Sequence, residues 1–139
     1  MKNDSPKKKV LILATTDTTL SIIAQAVLNK YLRDVEAFSA GINAAKKIDE
    51  NTIRLLKEEG LWKDDYHAKT LDTLKDMEFD LVITLSDYAM KKCPDFSDTT
   101  DIIAIEYDEI DGRNYSSYKK SLKLMQMEIT PIVRMHFAM

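Results

Sequence analysis

Apolar positions along the chain fall into two alternating kinds of run, short continuous ones and longer ones at helical spacing. Val10 to Leu13 is a short aliphatic run that fits a buried strand, predicted over Lys9 to Leu13. Leu20, Ile23, Ala24, Val27, Leu28 and Tyr31 then recur in three- and four-residue steps, which predicts a helix over 21–32 with Ser21 as its N-cap. Val35 to Ser39 predicts a second strand, ending at Ala40 and Gly41. Asp49 reads as the N-cap of a second helix to Glu59, stopped at Gly60, with Ile53, Leu55 and Leu56 facing inward. Residues 61–69 read as loop, and Thr70 as the cap of a short helix from Leu71 to Lys75. Phe79 to Leu85 is the strongest strand signal, a continuous run expected of a central parallel strand buried on both faces. Ser86 and Asp87 open a helix that ends at Cys93, before Pro94. Ile102 to Ile105 predicts a fourth strand and 106–116 an acidic loop. The last helix is predicted over Ser117 to Phe137, with Tyr118, Leu122, Met125, Ile129, Ile132, Val133 and His136 along one side. Pro131 should kink it or split off its end.

Strands alternating with helices predict an α/β fold with one parallel sheet covered on both faces. Ligands of such sheets sit at the carboxyl ends of the strands. Here those ends are residues 14–20, 86–87 and 106–111, which should converge on one crevice. The first is a polar turn, Ala14 to Leu20, set between a strand and a helix N-terminus. Free N–H groups and the helix dipole would both point into that turn, an arrangement that suits anions.

Composition narrows the function. A chain of 139 residues fits one domain, expected over 9–139 behind a frayed tail at 1–8. A net charge of −3 gives no basic footprint for nucleic acid, and Lys7 to Lys9 reads as a solvated tail. The apolar run after those lysines is too short for a signal peptide, and no stretch reaches membrane-spanning length. No nucleic-acid or membrane partner is expected, and the cytoplasm is the default location. The single cysteine, Cys93, excludes an intrachain disulfide and a multi-cysteine metal site. His67 and His136 lack ligand spacing, so neither metal nor cofactor is expected. Met125, Met127, Met135 and Met139 are expected mostly to pack the last helix.

Several segments carry a family resemblance: Val10 to Leu13 with its loop and helix, Phe38 to Ile42 (Phe-Ser-Ala-Gly-Ile), Leu56 to Gly60, Phe79 to Leu85, and Lys92 to Pro94. Together they resemble the low-molecular-weight protein tyrosine phosphatases, and more closely the thioredoxin-coupled arsenate reductases on the same fold. The resemblance implies a three-layer fold, a four-stranded parallel sheet in order 2-1-3-4 flanked by helices. It also implies a loop reading Cys, five residues, Arg, then Ser or Thr, in which the cysteine attacks and the arginine clamps the oxyanion. By that correspondence the cysteine position is Ala14 and the arginine position Leu20. Ser21, which in the family supports the thiolate, is retained. Thr16 stands where the family prefers glycine, Asp17 where it commonly has asparagine, and Thr19 before the arginine position. The reductases' second cysteine corresponds to Ser86, the third to Cys93, and the general acid to Glu109, followed by Ile110.

A methyl group at residue 14 removes the covalent route, and Leu20 offers an oxyanion no donors. Asp17 is expected to add a negative charge to the cradle, costing a bound anion roughly 1–4 kcal/mol at 4–6 Å. The chain is therefore expected to be a catalytically inactive or impaired relative acting as a binding or regulatory domain. Thr15, Thr16, Asp17, Thr18, Thr19 and Ser21 are its candidate contacts to a small anion, a neutral ligand or a protein partner. The threonines are equally readable as a tolerant turn. Two alternatives stand beside this reading: an enzyme of altered chemistry using a hydroxyl or Cys93, and a dimeric interaction protein using the methionine-bearing face.

Overall fold

A computed structural model describes residues 6–139. Residues 1–5 of the expected tail lie outside the described residues, and its last residue, Lys8, already belongs to a strand. The strands are β1 (Lys8–Thr16), β2 (Val35–Asn43), β3 (Leu81–Thr84) and β4 (Asp101–Ala104). They form one all-parallel sheet in the order β2-β1-β3-β4, the order the resemblance implies. The helices are α1 (Leu20–Tyr31), α2 (Glu50–Glu58), α3 (Asp87–Lys92) and α4 (Tyr115–His136), with a 3-10 turn at Leu71–Leu74.

Two apolar layers explain the continuous runs. Val10, Ile12, Leu81 and Ile83 pack with α1, α2 and α4 on one face. Leu11, Leu13 and Val82 pack with Ala89 of α3 and the 3-10 turn on the other. Successive strand residues thus each find a dry neighbour, so polar alternation is absent. α1 is buried at every position from Ser21 to Leu28, because both the sheet and α4 cover it.

Several boundaries differ from expectation. β1 and β2 run on to Thr16 and Asn43, because the ladder pairs those residues whatever their side chains. β3 is shorter than its apolar run: Phe79 is buried, yet it precedes the ladder. β4 is shifted by one residue. Asp49 and Ser86 cap α2 and α3 as expected, accepting from Thr52 N–H at 3.2 Å and Ala89 N–H at 3.0 Å. Gly60 ends α2 at φ +71°, where glycine carries no Cβ penalty. Thr70 makes no side-chain cap, and Ser21 lies inside α1 after Thr19. Tyr31 is exposed rather than inward.

α4 begins two residues early, where the Asn114 side chain accepts from Ser116 N–H at 3.1 Å. It passes through Pro131 as one unbroken helix, so the expected split does not occur. Tyr118, Leu122, Met125, Ile129 and Val133 are buried, while Ile132 and His136 are only half-buried. Met125 alone of the four late methionines is in the core. Met127 and Met135 are 66% and 82% exposed.

Candidate functional site

The three strand ends converge, as the topology predicts. Ala14, Thr15, Thr16, Thr18, Thr19 and Leu20 form one side of a cavity of about 230 Å³. Leu85 and Ser86 close it beyond β3, and Tyr107, Glu109 and Ile110 beyond β4. That is below the ~300–1,000 Å³ of most small-molecule sites, so the cavity suits a small group.

The loop keeps free backbone donors. The first bond at the start of α1 is Ile23 N–H to the Thr19 carbonyl at 3.0 Å, and no side chain caps the helix. The N–H groups of Leu20, Ser21 and Ile22 meet no acceptor among the described residues. Four such orphan donors are inherent to a helix start, and the dipole adds partial positive charge there.

Close approach of β2 fixes the loop's shape. A Cβ on Gly41 would lie 2.7 Å from the Asp17 nitrogen and 2.9 Å from both the Thr16 Cα and the Asn43 oxygen. All three are backbone atoms, so only glycine fits. On the outer side, Gly41 N–H donates to the Lys69 carbonyl at 2.9 Å, and Asp49 N–H to the Thr18 carbonyl at 3.0 Å. The hydroxyls of Thr15 and Ser86 share a 2.9 Å hydrogen bond that ties the loop to the start of α3.

Asp17 overturns an expectation. It does not line the cavity, and it is only 1% exposed. One carboxylate oxygen accepts from the Ser21 hydroxyl at 2.7 Å. The other accepts from Lys69 N–H at 3.2 Å and from Lys69 Nζ at 3.1 Å. The same ammonium donates to the Ser39 hydroxyl at 3.3 Å and the His67 carbonyl at 2.9 Å, which occupies its three protons. The charge is compensated beneath the loop, so the expected penalty on a bound anion falls away. Ser21 is likewise buried and turned to Asp17, outside the cavity lining.

The remaining candidates separate. Ala14, Leu20, Ser86 and Glu109 all line the cavity. Cys93 does not: it is half-buried after α3, packed against the second apolar layer with its Sγ 3.6 Å from the Pro94 carbonyl. Burial, and then Asp95, push its thiol pKa up, which disfavours the reactive thiolate. Tyr107 and Ile110 lie in the expected 106–111 segment, and of the lining residues only Leu85 falls outside the segments expected from the sequence. The Tyr107 hydroxyl donates to Glu128 at 2.9 Å. Burial, then that carboxylate, hold its pKa well above the ordinary tyrosine range, so the phenol stays protonated.

The walls therefore present methyl and methylene groups, hydroxyls, a phenol, backbone donors and one carboxylate. Among the described residues, the lining holds no thiol, imidazole, ammonium or guanidinium. No group of three His, Cys, Asp or Glu side chains among them is placed to hold a metal ion. Nor is any helix of the described residues long and apolar enough to cross a membrane. Such a cavity can donate hydrogen bonds to an acceptor and offer Glu109 to a donor.

Comparison with known proteins gives the same scaffold. An arsenate reductase of Brevibacillus brevis is 28% identical over 115 residues, spanning 82% of this chain and 85% of its own. The crystal structure of arsenate reductase from Archaeoglobus fulgidus superposes with a TM-score of 0.73 at 27% identity, covering 89% of this chain and 98% of that one. The low molecular weight protein tyrosine phosphatase from T. tengcongensis gives 0.75 at 21% identity, covering 92% and 99%, a likeness of fold alone. Residues 9–114 match the profile described as low molecular weight phosphotyrosine protein phosphatase. With the sheet order, the loop at the carboxyl end of β1 and this match in agreement, the chain belongs to the low molecular weight phosphotyrosine protein phosphatase family.

Proposed function

We propose that this chain is a non-catalytic member of its family, a binding or regulatory domain of the cytoplasm. The reading rests on one observation above all: the cavity at the end of β1 is walled by Ala14 and Leu20, with no nucleophilic sulfur and no cation among its lining residues. The ligand is a small anion or neutral molecule, or a small group of a protein partner. Thr15, Thr16, Thr18 and Thr19 contact it, along with the free N–H groups of α1. Asp17 and Ser21 shape the loop from below.

Phosphoryl transfer depends on positioning and on stabilising charge at the transferring group. Backbone donors supply part of that, but Leu20 supplies none and Ala14 has no lone pair to attack with. Hydroxyl chemistry at Thr15 or Ser86 would need an adjacent base. Each instead has the other at 2.9 Å, and Ser86 also accepts from Ala89 N–H.

Purified protein is expected to hydrolyse no aryl phosphate and to show no thioredoxin-dependent arsenate reduction above blank. Turnover that co-purifies with the chain and disappears in Thr16→Val or Glu109→Gln would overturn the reading.

A further inference from the structure

β4 forms one edge of the sheet, and its outer side is open. Asp101 N–H and Ile105 N–H donate inward to the Asp80 and Thr84 carbonyls, at 3.2 and 2.9 Å. Strand alternation then turns the N–H and C=O of Ile102 and Ala104 outward, where no described residue hydrogen-bonds to them. Ile102 is 47% exposed, and Ala104 is exposed as well. Unpaired edges of this kind are templates for another strand unless something blunts them.

The segment that carries this edge is charged with one sign. Every charged residue from Pro94 to Gly112 is Asp or Glu. Asp98, Asp101, Glu106 and Asp108 are all exposed. Basic side chains from α3 and α4 reach this region. His136 Nε2 lies 3.0 Å from Asp101. Lys91 feels Glu106, but its ammonium is held by Asp87 at 2.9 Å.

We propose that β4 is a docking edge for a basic, extended segment of a partner protein, which adds a fifth strand beside Ile102 to Ala104. Backbone bonds to Ile102 and Ala104 give the register, and lysine or arginine side chains of the segment meet the acidic flanks. A second copy of this chain is the poorer occupant. Pairing β4 with itself sets the same carboxylates against each other across the new ladder, and facing like charges destabilise a sheet. This site is separate from the cavity and stands whether or not the cavity is catalytically silent.

The test uses fluorescein-labelled octapeptides and anisotropy with the full chain. An alternating Lys-Val peptide is expected to bind, with affinity falling about tenfold or more from low to high ionic strength. The Glu-Val peptide, and a lysine peptide with proline at alternate positions, are expected to bind at least about tenfold more weakly. Ile102→Pro removes an outward N–H while sparing the inward bonds, and is expected to weaken binding about tenfold. If that variant fails to melt cooperatively, hydrogen exchange on the unaltered chain decides: saturating Lys-Val peptide is expected to slow the Ile102 and Ala104 amides. Absence of Lys-Val binding, equal binding by the proline-interrupted peptide, or unchanged exchange at both amides overturns the proposal. A dimer in sedimentation whose Ile102 and Ala104 amides are protected without peptide also overturns it, in favour of a second copy.

Discussion

Lys69 and Asp17 meet beneath the β1–α1 loop, with the ammonium 3.1 Å from a carboxylate oxygen and the two side chains 9% and 1% exposed. Fifty-two residues of sequence separate them. A charge buried this deeply is tolerable only when paired and fully hydrogen-bonded, and this one is both. Lys69→Met leaves the Asp17 carboxylate without its cation, so a loss of about 3–5 kcal/mol is expected in urea denaturation. Asp17→Asn combined with Lys69→Met is expected to recover part of that loss, because no uncompensated charge remains.

Gly41 tests the same loop from the β2 side. Adding a methyl group places it within 2.9 Å of three backbone atoms, none of which can swing away as a side-chain tip would. Gly41→Ala is expected to cost at least about 1–3 kcal/mol by forcing the strand and loop apart. Amide chemical shifts at Thr16 and Asp17 should move with it, whereas a purely local effect would leave them in place.

The frame was legible because its signals are local. The continuous run at Leu81 to Ile83, the helical spacing of Ile23, Val27 and Leu28, and the Asp49 cap each lie within one short window. The convergence of residues 14–20, 86 and 107–110 followed from parallel topology alone. The electrostatics did not follow. Asp17 looked like a charge in the cradle because its neighbours in sequence are cavity residues, while its partner Lys69 sits in an unpatterned loop. Met127 and Met135 looked like core because helix α4 is apolar on more than one side, and spacing alone does not say which side the sheet takes. β4 ran one residue out of place because its ladder is set by β3, not by its own side chains.

The clip between α2 and α4 gives a pH dependence. The Tyr115 hydroxyl donates to Glu58 at 2.5 Å, and the Arg54 guanidinium lies 3.8 Å above the Tyr115 ring. Burial, then Glu58, push the Tyr115 pKa up to about 12; burial, then Asp49, do the same at Tyr118. Unfolded tyrosine ionises near ~10. A raised folded value means this stabilisation is complete below about pH 10 and is lost as pH rises through about 12. Stability measured by urea denaturation should therefore fall across that alkaline window. At the other end, the Tyr115 hydrogen bond is the main cause that lowers the Glu58 pKa. That contribution is present above the ordinary carboxylate range and is lost as pH falls through the folded value. Tyr115→Phe keeps a ring beneath Arg54 but removes the hydroxyl. The Glu58 carboxyl, followed by carbon-13 NMR, is then expected to titrate closer to its ordinary value.

Pro131 offers a stabilising change. It lies inside α4 on an exposed position and lacks the N–H that would reach the Met127 carbonyl. Pro131→Ala restores that bond without altering the buried face. Helix-interior proline costs about 3 kcal/mol against alanine, and the freer unfolded chain returns roughly 0.4–1 kcal/mol of this. A net gain of about 2–2.6 kcal/mol is expected, read as a rise in melting temperature.

Placing a thiol and a guanidinium in the cavity tests the proposed function most directly. Its N–H donors at Leu20, Ser21 and Ile22 remain unpaired among the described residues, so a thiol at residue 14 would lie beside the positive end of α1. Such a position lowers a thiol pKa and yields thiolate at neutral pH. A guanidinium at residue 20 would enter the same cavity, since Leu20 already lines it, and Glu109, at the position the family resemblance assigns to the general acid, lines it too. Ala14→Cys with Leu20→Arg is expected to hydrolyse an aryl phosphate, with Ala14→Cys alone at least ~10²-fold slower for want of charge stabilisation. A folded double variant that binds phosphate and still turns nothing over would show that these two side chains do not suffice for phosphatase activity on this scaffold. The walls at Thr16 and Ile110 would then be the next positions to change.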